Sequence, residues 1–239
     1  MGFFDFLKKP IPGLNKPNPQ TVKAELRGAA QESDTLARQG DKENAFEASD
    51  APEWNAYTQT LFSKMPFLEK TLRAGVSENS IKTAEAELGF GFPKELKNLY
   101  LSNDGDNNEA VCGMMLGFRF LSLEGMLSVW RSMKNVPQYA DKRWLSFGSD
   151  SGGNFIGVNL DPDDSGRAGR IVFFGRDEQD ETVIADSLGA LFERFTRIIM
   201  SKDFYIGEYD GEEVILLGTD DVDEGSYLID YLESENSVK

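Results

Sequence analysis

Four short segments carry residue types and spacings that could do chemistry. Gly148–Asn154, GSDSGGN, gathers glycines around Ser149, Asp150, Ser151 and Asn154, and glycine backbones can turn several N–H groups toward one anion. It is not a P-loop, because the GK[ST] ending is absent and no lysine follows. It joins two predicted strands, so it reads as a shaped hairpin turn. Its functional alternative is contact with a partner through Ser149, Asp150, Ser151 and Asn154. Asp161–Gly166, DPDDSG, sets oxygens at positions 1, 3 and 5 and glycine at 6 of a calcium loop, but position 12 is Val172 instead of a bidentate Glu. Pro162 also fits that loop poorly, so an acidic surface turn is the better reading. Asp104–Glu109, DGDNNE, has the oxygen ligands of a metal site and equally the composition of a solvated loop tip. Glu85 and Glu87 are two apart on a predicted helix and diverge, so they form no acid–base dyad. The expectation from all four is no catalytic residue, no cofactor and no metal.

The residues that are missing point the same way. The chain has no histidine and one cysteine, Cys112. That removes Ser-His-Asp and Cys-His nucleophile systems, histidine-ligated zinc and the usual general base near neutral pH. It also removes intrachain disulfides and multi-cysteine metal sites. Cys112 lies in the apolar stretch VCGMML and reads as a small core residue, as do Trp130 and Trp144. The expectation is a protein that is not an enzyme, with a carboxylate-dependent hydrolase as the remote catalytic alternative.

The formal net charge is −16, from 41 acidic and 25 basic residues. Phosphate neutralisation needs Lys and Arg, so binding to DNA, RNA or an anionic membrane is not expected. The charge is uneven: residues 203–235 hold twelve Asp or Glu and no Lys or Arg. This stretch reads either as a solubilising surface or as a docking face for a cationic protein, with Asp220, Asp221, Asp223 and Glu224 as its centre. No apolar run approaches the ~18 residues of a membrane helix. The start, MGFFDFLKK, lacks the order of a secretory signal. Cytoplasmic residence follows as the expectation.

These segments must be held by regular elements. Residues 1–50 include four prolines between Pro10 and Pro19 and no strong apolar stripe; they read as a flexible arm. From Pro52, Trp54, Tyr57 and Leu61 recur at helical spacing over 53–64. A second helix starts at Ser77 as N-cap, with Val76 stapled on Ile81, carries Ile81, Ala84 and Leu88 on one face, and ends at Gly89. Pro93 restarts a helix with Leu96, Leu99 and Tyr100 inward, and Asn103-Asp104-Gly105 ends it as a tight turn. A strand over 117–121 precedes a helix over 122–134 with the stripe Leu123, Met126, Leu127 and Trp130. Strands follow over 143–147, 155–160, 170–175 and 183–185. Helix 187–200 has the strongest period, Leu188, Leu191, Phe192, Phe195, Ile198 and Ile199, and should cover one face of the sheet. Apolar runs at 214–217 and 227–232 predict that the acidic extension is folded. Mixed helices and consecutive strands with short connections imply an α+β domain with a mostly antiparallel sheet. The expected organisation is an arm over 1–50, a domain over 51–202 and an acidic extension over 203–239 packed on it.

Two spaced sets of residues resemble the SUKH superfamily. The first is Ile81, Glu85, Leu88-Gly89, Phe92-Pro93, Leu96, Leu99-Tyr100 and Asn103-Asp104-Gly105. The second is Phe147-Gly148, Gly152-Gly153-Asn154, the strand to Asp161, Gly169 and Ile184-Ala185-Asp186-Ser187 with the helix after it. The likeness covers about residues 70–200. It departs at 103–105, where the family often shows a second glycine, which should alter the turn more than the fold. The resemblance implies a SUKH-like fold and a binding role without catalytic residues to carry over. Bacterial members look like immunity proteins that neutralise toxins, often nucleases, and fungal members act as scaffolds in cell-wall signalling. The first expectation is thus an immunity protein whose acidic face meets a basic toxin domain, and the alternative is a scaffold or regulator of cell-wall or envelope assembly. Removing residues 1–50 is expected to leave the domain cooperatively folded. Thermal melts of the full chain and of 51–239 check this: a broad, non-cooperative transition in the shorter chain would contradict it.

Overall fold

The computed structural model describes residues 51–107, 110, 112–150, 152–161, 168–175, 181–209, 211–218, 228, 231 and 232. Helix α1, Pro52–Lys64, starts with proline in its first turn, where a missing N–H costs nothing. A 3₁₀ helix, Pro66–Thr71, and strand β1, Leu72–Ala74, follow it directly. Helix α2, Glu78–Leu88, is capped by the Ser77 hydroxyl, which accepts from Ser80 N–H at 3.1 Å. Helix α3 is Lys94–Ser102. It does not end in a tight turn: Asn103–Asp106 is strand β2, antiparallel to β1. Gly105 sits at φ +75° within that strand, so the bend predicted there exists but is absorbed as an irregularity in a paired strand.

Strand β3, Arg119–Phe120, leads into helix α4, Leu123–Met133, capped by Ser122. Then come β4, Trp144–Ser149; β5, Asn154–Asn159; β6, Ile171–Gly175; and β7, Thr182–Ala185. These form one five-stranded sheet in the order β3-β4-β5-β6-β7, with every pairing antiparallel. Helix α5, Leu188–Met200, is capped by Ser187. A separate hairpin closes the described chain, β8, Phe204–Tyr209, and β9, Glu212–Leu217. The architecture is α+β with antiparallel sheets.

Side chains alternate across the sheet, and both faces are covered. Leu145, Phe147, Ile156, Val158, Ile171 and Phe173 point into the main core with the helices. Trp144, Phe155, Val172 and Phe174 point the other way, into a second cluster closed by Val129 and Met133 of α4 and by Tyr139. The Tyr139 hydroxyl donates to the Gly175 carbonyl at 2.8 Å, which pins that cover. Double coverage explains why RIVFFG reads as a continuous apolar run. Helix α5 buries all six residues of its predicted stripe, each worth roughly 1.5–3 kcal/mol. Its nearest neighbour is α1: Phe192 lies 4.9 Å from Trp54 and 5.5 Å from Tyr57 between ring centroids. Phe204 and Ile215 of the hairpin pack on this core, and Leu217, Leu228, Tyr231 and Leu232 belong to it. Arg194 of α5 donates to the Ile184 carbonyl on β7 and to the Leu232 carbonyl.

Two glycines with the same backbone sign separate two effects. Gly89 has φ +79° with open space around the Cβ position, whereas a Cβ at Gly105 would overlap the Ser122 nitrogen and the Leu121 and Phe120 backbone. Gly89→Ala is expected to destabilise by about 1–2 kcal/mol, the left-handed strain alone. Gly105→Ala should lose clearly more. Urea unfolding of both variants checks the order; equal losses would contradict the close approach.

Candidate interaction surface

The conspicuous carboxylates bind the protein's own backbone. Asp104 Oδ1 accepts from Leu123 N–H at 2.7 Å, and Asp106 Oδ2 accepts from Phe120 N–H at 2.7 Å. Both donors are then satisfied, and Asp104 places its charge at the N-terminus of α4, where the helix field favours it. Asn103 completes the set, accepting from Trp54 Nε1–H at 2.9 Å and donating to the Arg73 carbonyl. The tetrapeptide Asn103–Asp106 thereby ties α1, β1, β3 and α4 together. Burial, opposed by the Leu123 hydrogen bond and the Arg73 charge, raises the Asp104 pKa above its ordinary value.

Glu85 and Glu87 diverge as expected. Glu85 Oε1 accepts from Phe92 N–H at 2.8 Å and pairs with Lys97 at 3.2 Å. The Phe92 hydrogen bond, with Lys97 behind it, lowers the Glu85 pKa. This clamp gives a physical reason for the spacing of Glu85, Leu88-Gly89 and Phe92-Pro93: the glutamate fastens the link between α2 and α3. Glu87 makes a two-point contact with Arg131, at 2.6 and 2.8 Å. Glu95 of α3 accepts from Leu188 and Gly189 N–H groups at the start of α5. The spacing of Glu95 gives no hint of this, since its partner is 93 residues away.

In the glycine loop, Asp150 fills the cradle itself. Its Oδ1 accepts from Gly152, Gly153 and Asn154 N–H groups at 2.7, 3.1 and 3.0 Å. Its Oδ2 accepts from Asn154 Nδ2 at 2.6 Å. The N–H groups that could hold an anion are therefore engaged within the loop, and the hairpin-turn reading of GSDSGGN describes what is there. Ser149 is buried on β4, opposite Phe155. Asn154 is half-buried at the start of β5. Ser151, Asp220, Asp221, Asp223 and Glu224 lie outside the described residues. So do positions 162–167 of the calcium-like loop and 108–109 of the DGDNNE segment. Among the described residues no group of three or more Cys, Asp or Glu is placed to hold a metal ion, and no helix is long and apolar enough to cross a membrane.

Cys112 is 3 % exposed, and burial pushes its thiol up to about 11, so it stays protonated and a poor nucleophile at neutral pH. Trp144 is fully in the second cluster, as predicted for a core residue, whereas Trp130 is only partly buried, with Lys134 Nζ 5.1 Å from its ring centre. On the hairpin, Glu208, Glu212 and Glu213 are exposed, and Ile206 beside them is 41 % exposed. The sequence indicated acidity there but not the strand β8, because FYIGEY lacks clean alternation.

An antiparallel sheet covered on both faces, flanked by capped helices and fastened by carboxylate-to-backbone clamps, defines an α+β domain of SUKH type. The chain belongs to the SMI1/KNR4 family (SUKH-1), whose sequence profile matches residues 75–194. It is similar to "Cell wall assembly regulator SMI1" of Saccharomyces cerevisiae, 23 % identical over 194 residues, 59 % of this chain and 38 % of that protein. It is similar to "KNR4/SMI1 homolog 2" of Debaryomyces hansenii, 24 % identical over 234 residues, 74 % of this chain and 39 % of that protein. A third relative, "Glucan synthesis regulatory protein" of Neurospora crassa, is 20 % identical over 211 residues, 66 % of this chain and 40 % of that protein. The chain spans about two fifths of the length of these relatives.

The two roles of Asp104 are separable. Because its folded-state pKa is raised, protonating it adds stability on acidification, a contribution lost as pH rises through that pKa. Asp104→Asn keeps an acceptor for Leu123 N–H and removes the buried charge. It is expected to be at least as stable as the parent at pH 7 and to lose stability more steeply toward pH 4. Asp104→Ala leaves the donor unsatisfied and should cost about 1–3 kcal/mol at either pH. Denaturant unfolding at both pH values checks this; Asn and Ala variants equally weak at pH 7 would contradict it.

Proposed function

We propose that this chain is a non-enzymatic protein-binding module, resident in the cytoplasm, that acts as a scaffold or regulator of cell-wall or envelope assembly. Family membership carries the reading: similar proteins are named as cell wall assembly and glucan synthesis regulators. The site chemistry supports it, since the carboxylates that could have served a reaction hold backbone N–H groups instead. The partner surface in this reading comprises the exposed part of the 150–154 loop and the acidic extension with Asp220, Asp221, Asp223 and Glu224.

The immunity-protein role first expected from the sequence rests here on charge alone. An acidic surface suits a basic nuclease toxin, but the names of the relatives favour the regulatory role. Deleting the gene separates the two. The regulatory role predicts sensitivity to wall- or envelope-perturbing agents in otherwise healthy cells. Growth that fails only when a neighbouring toxin gene is expressed, with unchanged sensitivity to those agents, would favour toxin neutralisation instead.

A further inference from the structure

Strands β8 and β9 form a sheet of their own, and among the described residues neither has a second strand beside it. Gly218 N–H donates to the Asp203 carbonyl at 2.8 Å, one pair beyond Phe204 opposite Leu217. Hydrogen-bonded and non-hydrogen-bonded pairs alternate along an antiparallel ladder. Asp203, Tyr205 and Gly207 therefore turn their N–H and C=O groups toward β9, while Phe204, Ile206 and Glu208 turn theirs outward. The edges of the five-stranded sheet differ. On β7 the Ile184 carbonyl accepts from Arg194, and β3 is two residues long.

The side chains mark the same edge. Ile206 shares a face with Phe204, Glu208, Glu213 and Ile215. Phe204 and Ile215 pack on the core; Ile206 does not. Glu208 stands directly opposite Glu213 in a pair without mutual hydrogen bonds, the kind in which side chains come closest. Like charges so placed destabilise a hairpin, and no Lys or Arg among the described residues pairs with either. A cation beside Glu208 would offset the repulsion, and an apolar side chain two residues along would cover Ile206.

We propose that the outer edge of β8 binds an extended segment of a partner protein in which Lys or Arg and an aliphatic residue stand two apart, on one face of the strand, adding to the hairpin as a third strand. Main-chain groups of that segment take the outward N–H and C=O groups of Phe204, Ile206 and Glu208, and its side-chain alternation sets the specificity. A second copy of this chain is rejected, because its net charge is −16 and its own edge would bring glutamate against glutamate. The inference rests on the reading of the chain as a protein-binding module and assigns that module an edge and a partner chemistry.

The test titrates a fluorescein-labelled octapeptide in which lysine and valine take turns at every second position, with threonine between them, into the full chain. One control replaces each lysine by glutamate, and another carries the lysine–valine sequence with alternate amides N-methylated. The lysine–valine peptide should bind and the glutamate peptide should not. N-methylation should weaken binding by about tenfold or more, and amide shifts in NMR spectra should centre on residues 204–208. The double variant Ile206→Lys, Glu208→Lys should lose binding with its melting temperature unchanged or raised, since it also removes the Glu208–Glu213 repulsion. No binding of the lysine–valine peptide, equal binding of the methylated peptide, retained binding by the double variant, or shifts centred elsewhere would each overturn the edge. Crosslinking in native cells judges the underlying reading separately. Identical protein partners for the parent and the double variant leave the module standing and sink the edge. No partner for either sinks the module, and the peptide titration still decides the edge.

Discussion

A carboxylate holding backbone N–H groups is the interaction on which this fold depends most. It recurs at Asp104, Asp106, Asp150, Glu85 and Glu95, each time where the chain changes direction or one element meets another. An N–H group buried without a partner costs about 1–3 kcal/mol, so each clamp decides whether its junction can be buried at all. The densest case is Asn103–Asp106, where three side chains fasten four elements and Gly105 lets the backbone of 120–122 approach closely. An acidic chain without histidine thus turns its commonest charged group into structure.

The clamps divide the surplus charge into two populations. One is engaged by backbone N–H groups, from buried Asp106 to exposed Glu95. The other, as in the hairpin glutamates, is exposed without such a bond and contributes most to the potential seen by an approaching partner. Composition alone merges the two and overstates how much of the charge is available for binding. The same division explains why the Gly152, Gly153 and Asn154 N–H groups are not open to an external anion: Asp150 already holds them.

Elements whose identity is written in local pattern were legible in the sequence. The Ser77 cap, the Gly89 terminus and the stripe of α5 are local rules, and the structure shows each of them. The resemblance to the SUKH pattern likewise falls on the segment that the family profile covers. What stayed hidden depends on distant partners. Asn103–Asp106 has turn-forming residues and becomes a strand only because β1 lies beside it and the Phe120 and Leu123 N–H groups donate to its carboxylates. Leu72–Ala74 is too short to show any period. At the candidate site, the sequence offers Asp150 for partner contact, but whether its carboxylate faces inward or outward is a matter of three-dimensional loop geometry, and here it holds the loop's own N–H groups. Ser149 follows the strand's alternation into the interior.

The contact between α1 and α5 bears on how the protein is made. Trp54 and Tyr57 lie near the beginning of the described chain, and their rings rest on Phe192 and Phe195. The main core therefore cannot close until the ribosome has released the chain past Met200. Loop closure over such a separation is slow, since its entropy must be lost before the contacts form. During synthesis the apolar strands of the sheet emerge before the helix that completes their core, and the exposed interval is one in which chaperone capture competes with folding. Leu228, Tyr231 and Leu232 join the same core later still, so α5 sets a lower bound on the moment of stability and not the moment itself.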